Sequence, residues 1–248
     1  MDQTVFNQKF KTGLKGLKLK VEGYQLELYW KYLNFLLQEN KKYNLTGITV
    51  PETIITKHFL DSLAIFPYVN FKKNPRVLDV GTGAGFPGLV LKIFFPDIKL
   101  VLLDSRLKRI HFLKILINEL SKIHSNDILN EIEVIHDRAE SLGQKREYRK
   151  SFDVVVSRAV APVKVLSEFT LPFLKLGKTA VFYKGPDYNK ELKAAVNALS
   201  ILGGKIYKIE EVDIPGIKEK RFLIFIKKIS KTPDSYPRRE GIPKKRPL

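Results

Sequence analysis

The sequence predicts an α/β fold: a Rossmann-like, seven-stranded, mostly parallel sheet with a closing antiparallel hairpin and an N-terminal helical cap. Three observations carry that expectation. From Arg76 onward, short apolar runs rich in β-branched residues alternate with helical patterns, as in strands joined by right-handed crossovers. A glycine-rich turn, Gly81, Gly83, Gly85 and Gly88, follows the first run, where a strand would pass into a helix. The last two runs are parted only by Asp213-Ile214-Pro215-Gly216, a turn signal too short for a crossover.

Taken in order, residues 1 to about 70 read as helical. Leu26, Tyr29, Trp30, Leu33 and Leu37 keep helical spacing from Tyr24 to Gln38. Thr49-Val50-Pro51-Glu52 reads as a helix start whose face continues through Ile54, Ile55, Phe59 and Leu63. Strands are expected at Arg76–Val80, Ile98–Asp104, Glu131–His136, Phe152–Ser157, Thr179–Lys184, Lys205–Val212 and Arg221–Lys227. The organisation expected is a cap over 1–74, an α/β domain over 75–230 and a basic tail over 231–248. Prolines at 233, 237, 243 and 247 should keep that tail from forming a regular helix.

Composition narrows the partners. Forty-four Lys and Arg against 26 Asp and Glu give a formal charge of +18 over 248 residues, an excess that suits a polyanion such as nucleic acid. No apolar run has the length of a membrane span, and no signal-peptide core opens the chain. Cysteine is absent, which excludes disulfides and cysteine-ligated metals. The histidines at 58, 111, 124 and 136 are dispersed and make no metal motif. The expectation is a cytoplasmic protein that acts on RNA or DNA and holds no metal; oligomeric state is left open.

The glycine turn specifies the ligand. A dinucleotide fingerprint places its third glycine where this chain has Phe86. The order after Asp79 is G-x-G-x-G, the arrangement of class I methyltransferases that use S-adenosyl-L-methionine (SAM). Gly81, Gly83 and Gly85 permit positive φ and close approach of the backbone to the cofactor. Asp104 ends the second strand 21 residues past Gly83, fitting a carboxylate for ribose hydroxyls or a helix N-cap beside Ser105. Asp137-Arg138-Ala139-Glu140 ends the third strand and either borders adenine or caps the next turn. Arg158 ends the fourth, facing the gap between cofactor and substrate or forming a surface ion pair.

Absences at the fourth strand limit the acceptor. No Asn/Asp-Pro-Pro-aromatic run follows it, as is common where exocyclic adenine amines are methylated, and no cysteine exists to activate a pyrimidine C5. A ring nitrogen with a free lone pair, such as guanine N7, fits, although sugar hydroxyls remain possible acceptors. Asn44, His58 and Asp61 lie beside apolar helical faces. His58 and Asp61 are three apart, so they either orient a flipped base or form a capping and salt-bridge cluster. Lys184 ends the fifth strand and either meets a phosphate or is a sheet-end lysine.

An ordered set of short motifs runs through the chain. They are Tyr43-Asn44-Leu45-Thr46, Lys57-His58-Phe59-Leu60-Asp61-Ser62-Leu63, the glycine turn with Phe86-Pro87-Gly88, Leu103-Asp104-Ser105, Arg138-Ala139-Glu140, Ser157-Arg158-Ala159-Val160, Lys184-Gly185, and the tail from Tyr236 to Leu248. From about Tyr24 onward the chain resembles the RsmG (GidB) family of bacterial methyltransferases, which modify guanine N7 in the 530 loop of 16S ribosomal RNA. The resemblance implies SAM as cofactor, with contacts at Gly81, Phe86, Ala139, Glu140 and Arg158 and with Asp104 or Ser105 near the ribose. It implies 16S rRNA or the small ribosomal subunit as partner, with Arg238, Arg239 and Tyr236 of the tail on RNA. Ile242, where the family more often has a small polar residue, and Phe86, where it often has Leu, depart from the pattern. Arg158 is the candidate catalytic residue, as a positioning cation rather than a base, because guanidinium keeps its proton. Two rivals share these features: a non-catalytic ribosome-assembly factor that binds SAM, and a nicotinamide-dependent oxidoreductase, whose fingerprint Phe86 spoils.

Overall fold

Seven strands form one sheet in the order β3-β2-β1-β4-β5-β7-β6. The computed structural model describes residues 1–71, 74–123 and 129–248; His124 lies outside them. Five strands are parallel: β1 (Arg76–Val80), β2 (Lys99–Asp104), β3 (Ile132–His136), β4 (Phe152–Arg158) and β5 (Leu174–Lys184). β7 (Arg221–Lys228) runs antiparallel beside β5, and β6 (Gly204–Val212) hairpins back onto its outer edge. β1 pairs with β2 on one side and β4 on the other, so the sheet reverses its winding between β1 and β4. In open α/β sheets that reversal opens a crevice at the strands' carboxyl ends.

The strands form where the sequence places β-branched and aliphatic residues. β1 and β4 are almost wholly buried, as expected of parallel strands covered on both faces. The expected β5 starts five residues late, because Lys175, Leu176, Gly177 and Lys178 are exposed and Gly177 bends the chain at φ 76°. Those residues lack the buried alternation that marks a strand.

One face of the sheet carries α1 (Gln3–Gly16), α2 (Gly23–Tyr43), α5 (Gly88–Phe94) and α6 (Leu107–Ser121), with a bent helical segment. That segment runs through α3 (Pro51–Ile54), a π-helical turn (Ile55–Leu60) and α4 (Asp61–Leu63). Phe6, Phe10, Tyr29 and Phe59 are fully buried and meet ring to ring. The same core continues through Val77, Leu102 and Phe225 of the sheet, so apolar packing runs across position 74. Three side chains of α2 tie it to the glycine turn and α5. Gln25 Nε2 donates to Ile93 O, Tyr29 Oη to Val90 O, and Tyr32 Oη to Ala84 O at 2.5 Å.

The other face is covered by α7 (Ala139–Leu142), α8 (Val163–Thr170), α9 (Tyr188–Lys193) and α10 (Val196–Leu202). Here the tail returns, ending in a short helix, α11 (Ile242–Lys245), with Pro243 in its first turn. Proline is tolerated at that position because the first-turn N–H has no intrahelical partner to lose.

Candidate active site

The turn after β1 is where the chain's geometry is least ordinary. Gly81, Gly83 and Gly85 adopt φ of 73°, 62° and 101°, values that a side chain resists. A Cβ on Gly81 would stand 2.5 Å from Val160 Cγ2, and one on Gly85 2.5 Å from Tyr32 Oη. Gly83 differs: its nearest neighbour would be the Arg109 guanidinium at 3.9 Å, so a side chain there would enter the cleft itself.

Asp79 pins this turn from below. Its Oδ2 accepts from Gly88 N at 2.8 Å. Asp79 Oδ1 and the buried Thr82 hydroxyl have no partner in hydrogen-bond geometry, yet the hydroxyl lies close enough to pull the acid's pKa down. Desolvation outweighs that pull and the Gly88 bond, and raises the carboxyl from 3.8 to about 6.

The crevice has two lobes that meet at Gly81, Arg109, Ala159 and Val160. The smaller, about 440 Å³, lies between the ends of β2 and β3, with Asp104, Ser105, Ala139 and Glu140 in its lining. The larger, about 680 Å³, opens between the ends of β1, β4 and β5 and the bent helical segment, and is lined by Thr46, His58, Asp61, Phe86, Arg158 and Lys184. Ala159 takes φ 57° where the lobes join, a conformation costly for a residue with a Cβ.

In the smaller lobe, Asp104 is 3% exposed. Its Oδ2 accepts from Gly83 N (2.9 Å) and Arg109 Nη1 (3.0 Å), and its Oδ1 accepts from Arg106 N. The carboxylate thus ties the glycine turn to α6 while lining the lobe. Ser105 is exposed and its carbonyl faces His136 Nε2 at 3.2 Å. Glu140, 4% exposed, accepts from Gly241 N at 3.0 Å.

In the larger lobe, Arg158 is held on three sides. Its Nη1 meets Asp61 Oδ2 at 2.6 Å and Lys57 O at 3.2 Å, and its Nη2 lies 3.2 Å from His58 Nδ1. Burial first, and then the Arg158 charge, lower the His58 pKa to about 3, so its ring is neutral. Because guanidinium only donates, Nδ1 accepts from it and the ring proton sits on Nε2, 2.9 Å from Thr46 Oγ1. The His58 ring stacks on Phe86 at 4.4 Å, and Phe86 stacks on Tyr32 at 5.4 Å. Aromatic packing and one ion pair therefore fix the cation at the mouth of β4.

The remaining candidates lie farther apart. Asn44 is exposed and ends α2 in the left-handed conformation, φ 49°. Lys184 Nζ donates to Ala161 O and Glu191 Oε2. Arg238 forms a two-pronged pair with the buried Glu168, while Arg239 is exposed. Sequence reasoning passed over Arg109, which borders both lobes, and Thr46 as the partner of His58. The signal for Arg109 was its place five residues beyond Asp104, in the first turn of α6. Among the described residues, no group of three His, Asp or Glu is placed to hold a metal, and no helix is long and apolar enough to cross a membrane.

The model of the rRNA small subunit methyltransferase G family (GidB) matches residues 25–221. The chain belongs to that family. It is 44% identical over 238 residues to the ribosomal RNA small subunit methyltransferase G of Desulforamulus reducens, covering 96% of both chains. Its likeness to the protein of that name from Carboxydothermus hydrogenoformans is 44% over 240 residues, covering 97% of this chain and 99% of that one. Among solved structures, a SAM-dependent O-methyltransferase from Thermotoga maritima shares the fold with a TM-score of 0.52 at 13% identity, over 80% of this chain and 72% of that one. A predicted O-methyltransferase from Agrobacterium tumefaciens does so at 0.51 and 17%, over 71% and 82%. The GidB-family protein is thus a SAM-dependent methyltransferase with the class I fold. Its cleft suits that cofactor. Glycine at 81 and 83 keeps the turn's face clear of Cβ atoms, while the smaller lobe offers backbone and carboxylate groups suited to an adenosine moiety.

Proposed function

We propose that this protein transfers a methyl group from SAM to guanine N7 in the 530 loop of 16S rRNA, in the cytoplasm. The carrying observation is the GidB-family match over a chain whose glycine turn opens onto a two-lobed cleft at the β1/β4 switch point. Gly81, Gly83, Asp104, Ser105, Ala139 and Glu140 would line the adenosine and ribose end, with Phe86 and Arg158 toward the reacting end. When bound, SAM supplies an electrophilic methyl group on a cationic sulfonium.

The chain's own part is to bind, orient and exclude water. Guanine N7 presents a lone pair, so no side chain has to remove a proton first. Positioning and charge balance then dominate. Arg158 brings one positive charge to the cleft, and the Asp61 contact at 2.6 Å balances it. His58, kept neutral, adds no second positive charge beside a sulfonium. The flat Phe86–His58 stack offers a surface against which a base can be oriented. The formal charge of +18 supplies affinity for phosphates without choosing a sequence.

The test is transfer of labelled methyl from SAM to small ribosomal subunits that lack the modification, with the product located by N7-specific chain cleavage. Cleavage at one 530-loop guanine supports the reading. Label at another position, or none from a protein that binds SAM, refutes it.

A further inference from the structure

The tail from residue 231 is built into the molecule rather than extended from it. Arg149 gathers its start, donating to the carbonyls of Thr232, Pro233 and Tyr236. Arg238 then locks the middle: its Nη2 meets Glu168 Oε2 at 2.6 Å, and its backbone N–H donates to Oε1 of the same carboxylate at 2.8 Å. Glu168 is 1% exposed, and a buried, bidentate pair of this kind is costly to open.

Beyond that lock the chain turns at Gly241, φ 77°, toward the cofactor cleft. Glu240 meets Arg138 Nε at 3.0 Å and accepts from Ser141 Oγ at 2.6 Å. Gly241 N–H donates to Glu140, whose carboxylate is otherwise buried under the smaller lobe. The last turn, α11, delivers Lys244 into the lining of that lobe beside Asp104, Ala139 and Phe169, with Nζ 6.0 Å from the Phe169 ring centre. Lys245 and Arg246, its exposed neighbours, are not part of that lining.

We propose that the tail forms a wall of the adenosine site, with Lys244 as a cofactor-binding residue and the Gly241–Glu140 bond coupling cofactor binding to the order of the tail. An ammonium group is a donor only, so it suits an acceptor atom of the adenosine moiety, a ring nitrogen or a ribose oxygen, and does not suit the 6-amino group. The inference rests on the smaller lobe being the adenosine end of the cofactor site. It assigns the C-terminal segment a role in holding the small molecule, where its charge alone had suggested RNA.

The experiment measures S-adenosylhomocysteine affinity by calorimetry for the full chain, Lys244→Met, Lys244→Arg and Lys245→Met, and amide hydrogen exchange over 238–246 with and without that ligand. Losing one charge-assisted hydrogen bond should weaken binding of Lys244→Met about tenfold. Lys244→Arg should recover most of the loss, Lys245→Met should bind as the parent does, and the ligand should slow exchange at Gly241. Parent-like binding by Lys244→Met, an equal loss in Lys245→Met, or unchanged exchange would each overturn the proposal. Failure of the parent chain to bind the ligand would instead remove the cofactor-site assignment beneath it.

Discussion

Replacing Asp79 with asparagine separates the cost of burying a carboxylate from the benefit of its hydrogen bond. Asparagine keeps an oxygen for Gly88 N–H, and its amide can face the Thr82 hydroxyl, so the local geometry is retained. The unfolded chain releases the Asp79 proton near 3.8, while the native state holds it to about 6. Native protein therefore binds more protons between those values. The stability this contributes is complete below 3.8 and is lost as pH rises to about 6. A shift of roughly two units corresponds to about 3 kcal/mol. The stability of Asp79→Asn minus that of the parent should thus climb by about 3 kcal/mol from acid to neutral pH and stay level above pH 6. Urea unfolding at a series of pH values gives the difference directly, because the titration of every other carboxylate cancels. A difference that is the same at pH 4.5 and pH 7.5 refutes the burial argument.

Three further outcomes follow from the cleft. Gly83→Asp places a carboxylate in the open face of the turn and should abolish SAM binding in a titration while the protein stays folded. Arg158→Ala strands Asp61 with only the distant Arg221 at 3.7 Å, and should cost about 3 kcal/mol in denaturant unfolding. The same variant should lower turnover on the order of a hundredfold in a methyl-transfer assay, with RNA affinity changed far less. Binding of a 530-loop RNA fragment should weaken steeply with salt, with a slope of log K against log salt steeper than about −3; a shallow slope would remove phosphate contact as the main source of affinity.

Much of this architecture was legible in the residues because its signals are local. The buried strands are continuous aliphatic runs, the hairpin is announced by Pro215 and Gly216, and the cleft by glycines whose spacing has few alternatives. The arrangement around Arg158 was legible only as a list of polar residues. Their assembly depends on partners 97 and 100 positions apart, and no periodicity encodes which carboxylate a given arginine will meet. The tail shows the same limit. Its prolines and charges suggested a free basic end, yet Arg238 finds Glu168 at a separation of 70 residues and Gly241 finds Glu140 at 101. The pattern also reads Pro51 to Leu63 as one helix, since a π turn preserves the apolar face on both sides and shifts only its phase.

That phase shift makes the length of the segment a functional quantity. The turn from Ile55 to Leu60 inserts extra backbone between a start anchored at Pro51 and an end carrying Asp61. Deleting one residue there would let the helix relax to regular winding and rotate everything beyond the cut by about 100° relative to the residues before it. Ile54 and Ile55 would stay seated in the cap, while Asp61 would swing off Arg158. Single-residue deletions in this stretch should consequently be far less tolerated than conservative substitutions at the same positions, because spacing rather than side-chain identity sets the cation in register with the cleft.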